Sequence, residues 1–221
     1  MHLSNRLKKI ASLIDEEDNF IYDVGCDHAL LDIYLAQKYS NLKFLASDIS
    51  SKCIDKAKDN IKHFKLNHRI NTLVNDGLSG VRLKPNSTIV ISGMGAHTII
   101  DILSNINLTK CQKIVIQSNN DFSYLRRQMV EMGFKIANEL VVYDKKFYII
   151  IVFKPGIVRY NNICYEFGPE LLSNSTYNQS YFKWLYKQNV DLLKKVPIFK
   201  WKKRWALKHK LKVLKKVILY E

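Results

Sequence analysis

The sequence predicts an α/β protein, a doubly wound parallel sheet that ends in an antiparallel hairpin and is followed by a C-terminal helical hairpin. Three observations lead there. Between Phe20 and Phe153, short β-branched or apolar runs alternate with amphipathic stretches, the pattern of buried parallel strands and crossover helices. The last two of these runs are joined by Asp144, Lys145 and Lys146 alone, a connection too short for a parallel crossover. Beyond Pro155 the strand pattern stops and apolar residues recur at helical spacing.

The strands expected in order are Phe20 to Val24, Lys43 to Ser47, Arg69 to Val74, Thr88 to Ile91 and Lys113 to Gln117. Between them, Leu30 to Tyr39, Ile54 to Leu66, Thr98 to Ile106 and Phe122 to Met132 carry the three-and-four spacing of amphipathic helices. Phe134 to Tyr143 and Phe147 to Phe153 form the hairpin. Lys154-Pro155-Gly156 then punctuates the chain, which divides it into residues 1–155, an α/β domain, and residues 156–221, a basic helical extension. In that extension Tyr181, Trp184, Leu185, Gln188, Leu192 and Lys195 keep helical spacing, Pro197 interrupts it, and Phe199, Trp205, Leu207, Leu211, Leu214, Val217 and Ile218 resume it. Two antiparallel helices follow, coiled-coil-like in pattern, with Trp184, Leu185, Leu192, Leu207, Leu211 and Leu214 expected in the seam.

A chain of 221 residues, 47% hydrophobic, buries one full α/β core and has residues left for an appendage. The formal net charge is +15, which draws a polyanion or an anionic surface. The excess is concentrated after Pro155, where 14 of the 35 basic residues stand against 4 of the 20 acids. Cys26, Cys53, Cys111 and Cys164 are far apart and include no CxxC pair, so neither a zinc site nor a disulfide framework is signalled, and reduced, cytoplasmic thiols are expected. No metal is expected. No apolar run approaches the roughly 20 residues of a membrane span, so no membrane partner is expected either.

The chemistry gathers at strand ends. The first strand runs into Asp23-Val24-Gly25-Cys26-Asp27-His28, where a glycine permits close approach to a ligand beyond the carboxyl ends of the strands. The motif is not GxGxxG, and Asp27 and His28 stand where a pyrophosphate wants amide donors, so a dinucleotide fits poorly. A cationic sulfonium with an amino-acid tail fits better. The competing role is a turn with Asp27 as helix N-cap. The second strand ends at Asp48-Ile49, 25 residues after Asp23, where a carboxylate can accept from both ribose hydroxyls. The third ends in Asn75-Asp76-Gly77, where an acceptor can meet an adenine amino group. Asp48 could instead cap the next helix, and Asp76-Gly77 could be only a turn. Their recurrence on one edge of one sheet favours a nucleoside-bearing ligand. The fourth strand exits into Ser92-Gly93-Met94-Gly95-Ala96-His97 and the fifth into Gln117-Ser118-Asn119-Asn120. The glycines make room for a flat group or for close helix packing, and Asn119 could read a base edge or cap a helix.

Taken together, Leu3 to Leu7 with Ile10 to Ile14, DVGCDHALL from Asp23, ASDIS from Ala46, NDGL from Asn75, ISGMGA from Ile91 and QSNN from Gln117 resemble the TrmK family, and FGPELL from Phe167 extends the likeness into the tail. That family comprises bacterial tRNA methyltransferases acting on N1 of the adenine at position 22. Two departures stand out: Ala96 where the family usually has glycine, and Ser118 where it has proline. The resemblance implies a class I, Rossmann-like methyltransferase sheet, S-adenosylmethionine as cofactor and tRNA as partner. It implies cofactor contacts from Asp23, Gly25, Asp27, His28, Asp48, Ile49, Asn75, Asp76, Gly77 and Gly93, and catalytic positions at Asp27, Met94 and Asn119. Asp27 would stabilise the charge that develops on the adenine. Lys187, Lys194, Lys200, Lys202, Lys203, Arg204, Lys208, Lys212 and Lys215 are expected to meet RNA phosphates, because Asp191 stands almost alone among them. The alternatives are a methyltransferase of another RNA or of a protein, and a nucleic-acid-binding protein with a relict pocket. A monomer is the working expectation, and residues 1–155 are expected to bind the cofactor without the tail.

Overall fold

A computed structural model of the chain describes residues 3–219. A first helix, α1 (Asn5–Ala11), is capped by Ser4, whose hydroxyl accepts from the Leu7 amide. Seven strands follow: β1 (Phe20–Val24), β2 (Lys43–Asp48), β3 (Ile70–Val74), β4 (Ser87–Met94), β5 (Cys111–Ser118), β6 (Phe134–Asp144) and β7 (Lys146–Pro155). Between them lie α2 (Leu30–Lys38), α3 (Ser51–His63), α4 (Ala96–Ser104) and α5 (Phe122–Glu131). Each expected strand and helix of the α/β region is present. Boundaries move by three residues at both ends of α3, and at β4, which extends past Ile91 to Met94 because its end pairs across a register shift with Ser118 of β5.

The sheet order is β3-β2-β1-β4-β5-β7-β6. Pairs from β3 through β5 are parallel, so their carboxyl ends share one edge. β7 lies antiparallel between β5 and β6, and Lys145 turns the hairpin with φ +63°. Apolar side chains from the two faces of the sheet feed two separate clusters, one holding Ile89, Ile91, Ile114, Ile116, Leu125 and Phe153, the other Ile21, Phe44, Val90, Val115, Ile150 and Ala57. Strands buried on both faces read as continuous apolar runs for this reason.

The tail contains two helices that periodicity did not reveal, α6 (Asn162–Phe167) and α7 (Pro169–Ser173), before α8 (Gln179–Lys195) and α9 (Trp201–Leu219). The short pair is held by a fully buried ion pair. Arg126 Nε of α5 donates to Glu139 Oε1 of β6 at 2.7 Å, and the same guanidinium donates to the carbonyls of Tyr165 and Glu166. Glu139 also accepts from the Glu170 amide. Burial outweighs the neighbouring Arg126 and pushes the Glu139 carboxyl above its ordinary range, so the pair fixes geometry more than it adds net stability. Gly168 closes over it with φ +90°, and a Cβ there would lie 2.4 Å from a Glu139 carboxylate oxygen.

α8 and α9 are antiparallel: Gln179 at the start of α8 donates to the Val217 carbonyl near the end of α9, and Arg204 near the start of α9 donates to the Leu193 and Val196 carbonyls. The seam differs from the expected one. Leu207 and Leu214 are buried, but Trp184 and Leu192 are 38% and 42% exposed, and the Trp184 ring packs on Phe147 of β7 at 5.4 Å between centroids. Phe167, Leu171, Phe182 and Leu214 enter the same apolar cluster as Leu125 and Phe153. Pro155 therefore divides sequence patterns and not hydrophobic cores. Each of these four side chains contributes about 1.5 to 3 kcal/mol by leaving water. Chemical denaturation should rank the full chain above residues 1–175, and residues 1–175, which keep α6 and α7 over the Arg126–Glu139 pair, above residues 1–155. Equal midpoints for the full chain and residues 1–155 would show the tail to be an independent unit.

Candidate active site

Parallel pairing brings the exits of β1 to β5 together. At the β1 exit the amides of Gly25 and Cys26 both donate to the Ser47 carbonyl, at 2.8 and 3.0 Å, which folds the loop back over β2. Gly25, Asp27 and Ala29 all have positive φ, at 74°, 52° and 55°. Two of the three are not glycine, so the loop stores backbone strain, as ligand-binding turns often do. Gly25 also leaves room for a neighbour: a Cβ there would lie 2.4 Å from the Met94 methyl, so the methionine side chain would have to move. Met94 from β4 thus rests directly on the β1 loop.

Asp48 is held by two amides. Its Oδ2 accepts from Asp27 N at 3.2 Å and its Oδ1 from Ser50 N at 2.9 Å, while Ser50 itself caps α3. The capping alternative for Asp48 is therefore set aside, and so is that for Asp27, because α2 begins after Ala29 with no side-chain cap. The Asp27 carboxylate stands largely in solvent, 3.3 Å from His28 Nε2. Ile49 beside Asp48 is 72% exposed, an apolar face offered to a flat group. Asn75 donates through its amide to the Ser79 carbonyl, and Asp76 is exposed. Gly77 is buried beneath Ile102 of α4, with its carbonyl accepting from Ser47, so it shapes the turn.

Below this loop lie two carboxyls. Asp23 on β1 and Asp32 on α2 are 5% and 0% exposed, and neither Asp32 oxygen meets a donor. Two carboxylates cannot hydrogen-bond to each other, but one carboxylic acid and one carboxylate can. Burial, then the Asp23 charge, pushes Asp32 well above the ordinary range, so Asp32 holds the proton. Burial likewise raises Asp23 to about 6, with the Asp32 hydrogen bond holding it down and the Asp48 charge adding to the rise. Asp23 is then anionic at neutral pH. Asp32 escaped notice in the sequence, where its one signal is an acid within the apolar stretch Ala29 to Ala36. Burial, and then the nearby acidic side chains, Asp23 first, push the Cys26 thiol up, so it is not a thiolate nucleophile.

The exits of β4 and β5 are joined by Arg6, a residue the strand-end reading missed. Its Nη1 donates to Gln117 Oε1 at 2.6 Å and to Ser92 Oγ at 2.9 Å. Asn119 donates through Nδ2 to the Gly93 carbonyl at 2.6 Å and through its backbone to the Met94 carbonyl. It does not cap α5, whose N-cap is Asp121. Nor does His97 stand free: it stacks on Tyr124 and faces Asp121. Arg6 also lines one cavity and lies beside a wall residue of a second. One, of about 80 Å3, is bounded by Asp23, Gly25, Asp27, His28 and Ser92. The other, of about 440 Å3, is bounded by Ser118, Asn119, Phe122, Tyr148 and Trp184, and the Arg6 guanidinium lies 5.5 Å from the Tyr148 ring centre. Gly25, Met94, Gly93 and Asn119 form a continuous chain of contacts between them. Of the expected catalytic positions, Met94 and Asn119 meet at the Gly93 turn, whereas Asp27 stands at the smaller cavity.

The methyltransferase domain family matches residues 3–151. The chain belongs to this family. A Mycoplasma genitalium protein named as a candidate tRNA methyltransferase is 34% identical over 154 residues, 68% of this chain and 69% of that one. The tRNA (adenine(22)-N(1))-methyltransferase of Bacillus subtilis is 26% identical over 159 residues, 71% of this chain and 66% of the relative. The structure of M. capricolum TrmK with S-adenosyl-homocysteine superposes with a TM-score of 0.85 at 29% identity, covering 99% of this chain and 98% of the other. The class I, Rossmann-like methyltransferase fold implied by the sequence is thus the fold observed.

Within this methyltransferase domain, no group of three His, Cys, Asp or Glu among the described residues is placed to hold a metal ion, and no helix is long and apolar enough to cross a membrane. The buried carboxyl pair gives the site a pH signature. A carboxyl whose folded pKa is raised opposes folding above that pKa, and the opposition fades as pH falls toward the unfolded value. Asp32→Asn imitates the protonated acid and keeps a donor for Asp23. The variant should be more stable than the parent near pH 8, and the difference should shrink as pH falls through 6 toward 4. Thermal unfolding across that range checks it; a pH-independent difference would mean that the two carboxyls share no proton.

Proposed function

We propose that the chain methylates N1 of the adenine at position 22 of tRNA, using S-adenosylmethionine. The observation that carries this is the shared strand edge, where a small acidic cavity is lined by Asp23, Gly25, Asp27 and His28 and a larger one by Asn119 with Phe122, Phe147, Tyr148 and Trp184. The residues present fit the cofactor: Asp48 stands ready for the ribose hydroxyls, exposed Ile49 for the flat face of adenine, Asn75 and Asp76 for its edge, and anionic Asp23 near the positively charged end. His28 and the backbone of Gly25 and Gly93 would complete the enclosure. When bound, S-adenosylmethionine supplies a methyl group activated by a sulfonium sulfur.

Neutral adenine keeps a free lone pair on N1, so the protein needs no general base. Its work is positioning and electrostatics. Asn119, which lines the 440 Å3 cavity, and Met94 beside it would orient the base, and Asp27 would face the positive charge that grows on it. A base paired through N1 must first leave its stack, at a cost of a few kcal/mol recovered from contacts elsewhere on the RNA. The exposed lysines of the tail, Lys187, Lys200, Lys202, Lys203 and Lys208, supply such contacts. Two of the expected cations are already engaged: Arg204 holds the carboxyl end of α8, and Lys194 lies 3.2 Å from Asp191. The tail would act as an RNA-binding arm of the enzyme, working as a cytoplasmic monomer.

Incubation of an unmodified tRNA transcript with the protein and S-adenosylmethionine, followed by nucleoside mass analysis, should yield 1-methyladenosine, lost when the adenine at position 22 is replaced. Methylation of ribosomal RNA or protein in its place would overturn the substrate. Asp48→Ala should weaken cofactor binding by about 1.5 to 3 kcal/mol, the worth of hydrogen bonds to a charged acceptor, while the fold survives. Calorimetry showing unchanged affinity would remove Asp48 from the ribose. For Asp27→Asn, the single-turnover rate should fall more than tRNA affinity. Equal losses would make Asp27 a binding residue.

A further inference from the structure

The outer face of α9 carries a feature that phosphate binding does not use. Trp201, Trp205 and His209 are spaced four residues apart, and at 100° per residue they fall on one face of the helix, while buried Leu207 and Leu214 fall on the opposite one. Trp201 and Trp205 are 67% and 68% exposed, and Phe199 and Ile198 at the helical turn are 77% and 84% exposed. Exposed aromatics of this size cost solubility unless something covers them. The rings are ordered as well as exposed: Trp205 and His209 stack at 5.9 Å with an interplanar angle of 23°, and Lys202 Nζ lies 5.6 Å from the Trp201 ring centre. Below Trp205 a cavity of about 440 Å3 opens between α9 and α5–α6, lined by Arg127, Asn162, Lys203 and Lys210.

We propose that this face is a stacking platform for unpaired nucleobases of the RNA substrate, leading into the cavity beside Arg127. Parallel rings interleaved with cations suit bases, because every base has a flat π-face and a phosphate within reach. Charge selects the occupant. From residue 178 to 219 Asp191 is the only acid, and it faces Lys194, so a second copy of this surface would meet like charge. Glu166, the acid at the cavity, is taken by Lys210. The proposal rests on the tRNA reading and deepens it: phosphate contacts on the lysines hold the arm down anywhere on RNA, whereas the rings direct it to a loop or an opened base.

The test uses the full-length protein with an unmodified tRNA transcript, a fully paired RNA duplex and vesicles of anionic lipid. The exposed pair is replaced as Trp201→Ala with Trp205→Ala, and as Trp201→Phe with Trp205→Phe. Stacking is worth about 1 to 3 kcal/mol per base, so the alanine pair should bind tRNA at least about thirtyfold more weakly if each ring holds one base, with the phenylalanine pair close to the parent. The salt dependence should keep its slope, since no phosphate contact is removed, and duplex binding should be unchanged. Alanine variants that bind tRNA within twofold of the parent would overturn the platform, as would a loss confined to vesicle binding or to self-association. A parent protein that binds S-adenosylmethionine but no tRNA would instead overturn the substrate reading on which the platform stands.

Discussion

Parallel pairing is the constraint on which the rest of the structure depends. Because β1 to β5 run the same way, every βα turn arrives at one edge, and residues as distant as Arg6, Asp48 and Asn119 meet there. The antiparallel insertion of β7 beside β5 then places Tyr148 next to that edge and Phe147 under Trp184. The aromatic cavity and the seat of the tail are both consequences of one strand entering the sheet backwards.

Within the edge, charge is arranged in layers. A protonated acid, Asp32, lies deepest; Asp23 sits above it as an anion at neutral pH; Asp48 is fixed by two amides; Asp27 is at the lip. Such an arrangement complements a cation without holding four free carboxylates in one place. Arg6 occupies the boundary between this acidic side and the aromatic cavity. Its hydrogen bonds to Ser92 and Gln117 join the exits of β4 and β5, so α1 is part of the site although it precedes the sheet in the chain.

The tail divides its residues between attachment and display. Phe182, Leu214 and the Arg126–Glu139 clamp bind it into the core of the methyltransferase domain, which fixes the direction in which α9 points. What faces outward is then cationic and aromatic. On the proposed reading, an arm with such a surface would contribute affinity at a distance from the reacting atom, where the cost of extracting a base would be recovered.

The sequence by itself determined the sheet, the hairpin, the two long tail helices and the strand-end residues Asp23, Gly25, Asp48, Asn75 and Met94, because buried strands and amphipathic helices each impose a local period and because βα turns follow their strands directly. It could not reveal α6 and α7, which are short and gain their stability from the buried Arg126–Glu139 pair rather than from periodicity. Nor could it separate Arg204, bound to the end of α8, from the free lysines around it, or place Trp184 against β7 instead of in the helical seam. The burial of Asp23 with Asp32 and the bridging position of Arg6 were decided by tertiary structure alone. Both depend on which side chains meet across the fold and how far water is excluded from them, and neither quantity is carried by the order of residues along one strand or helix.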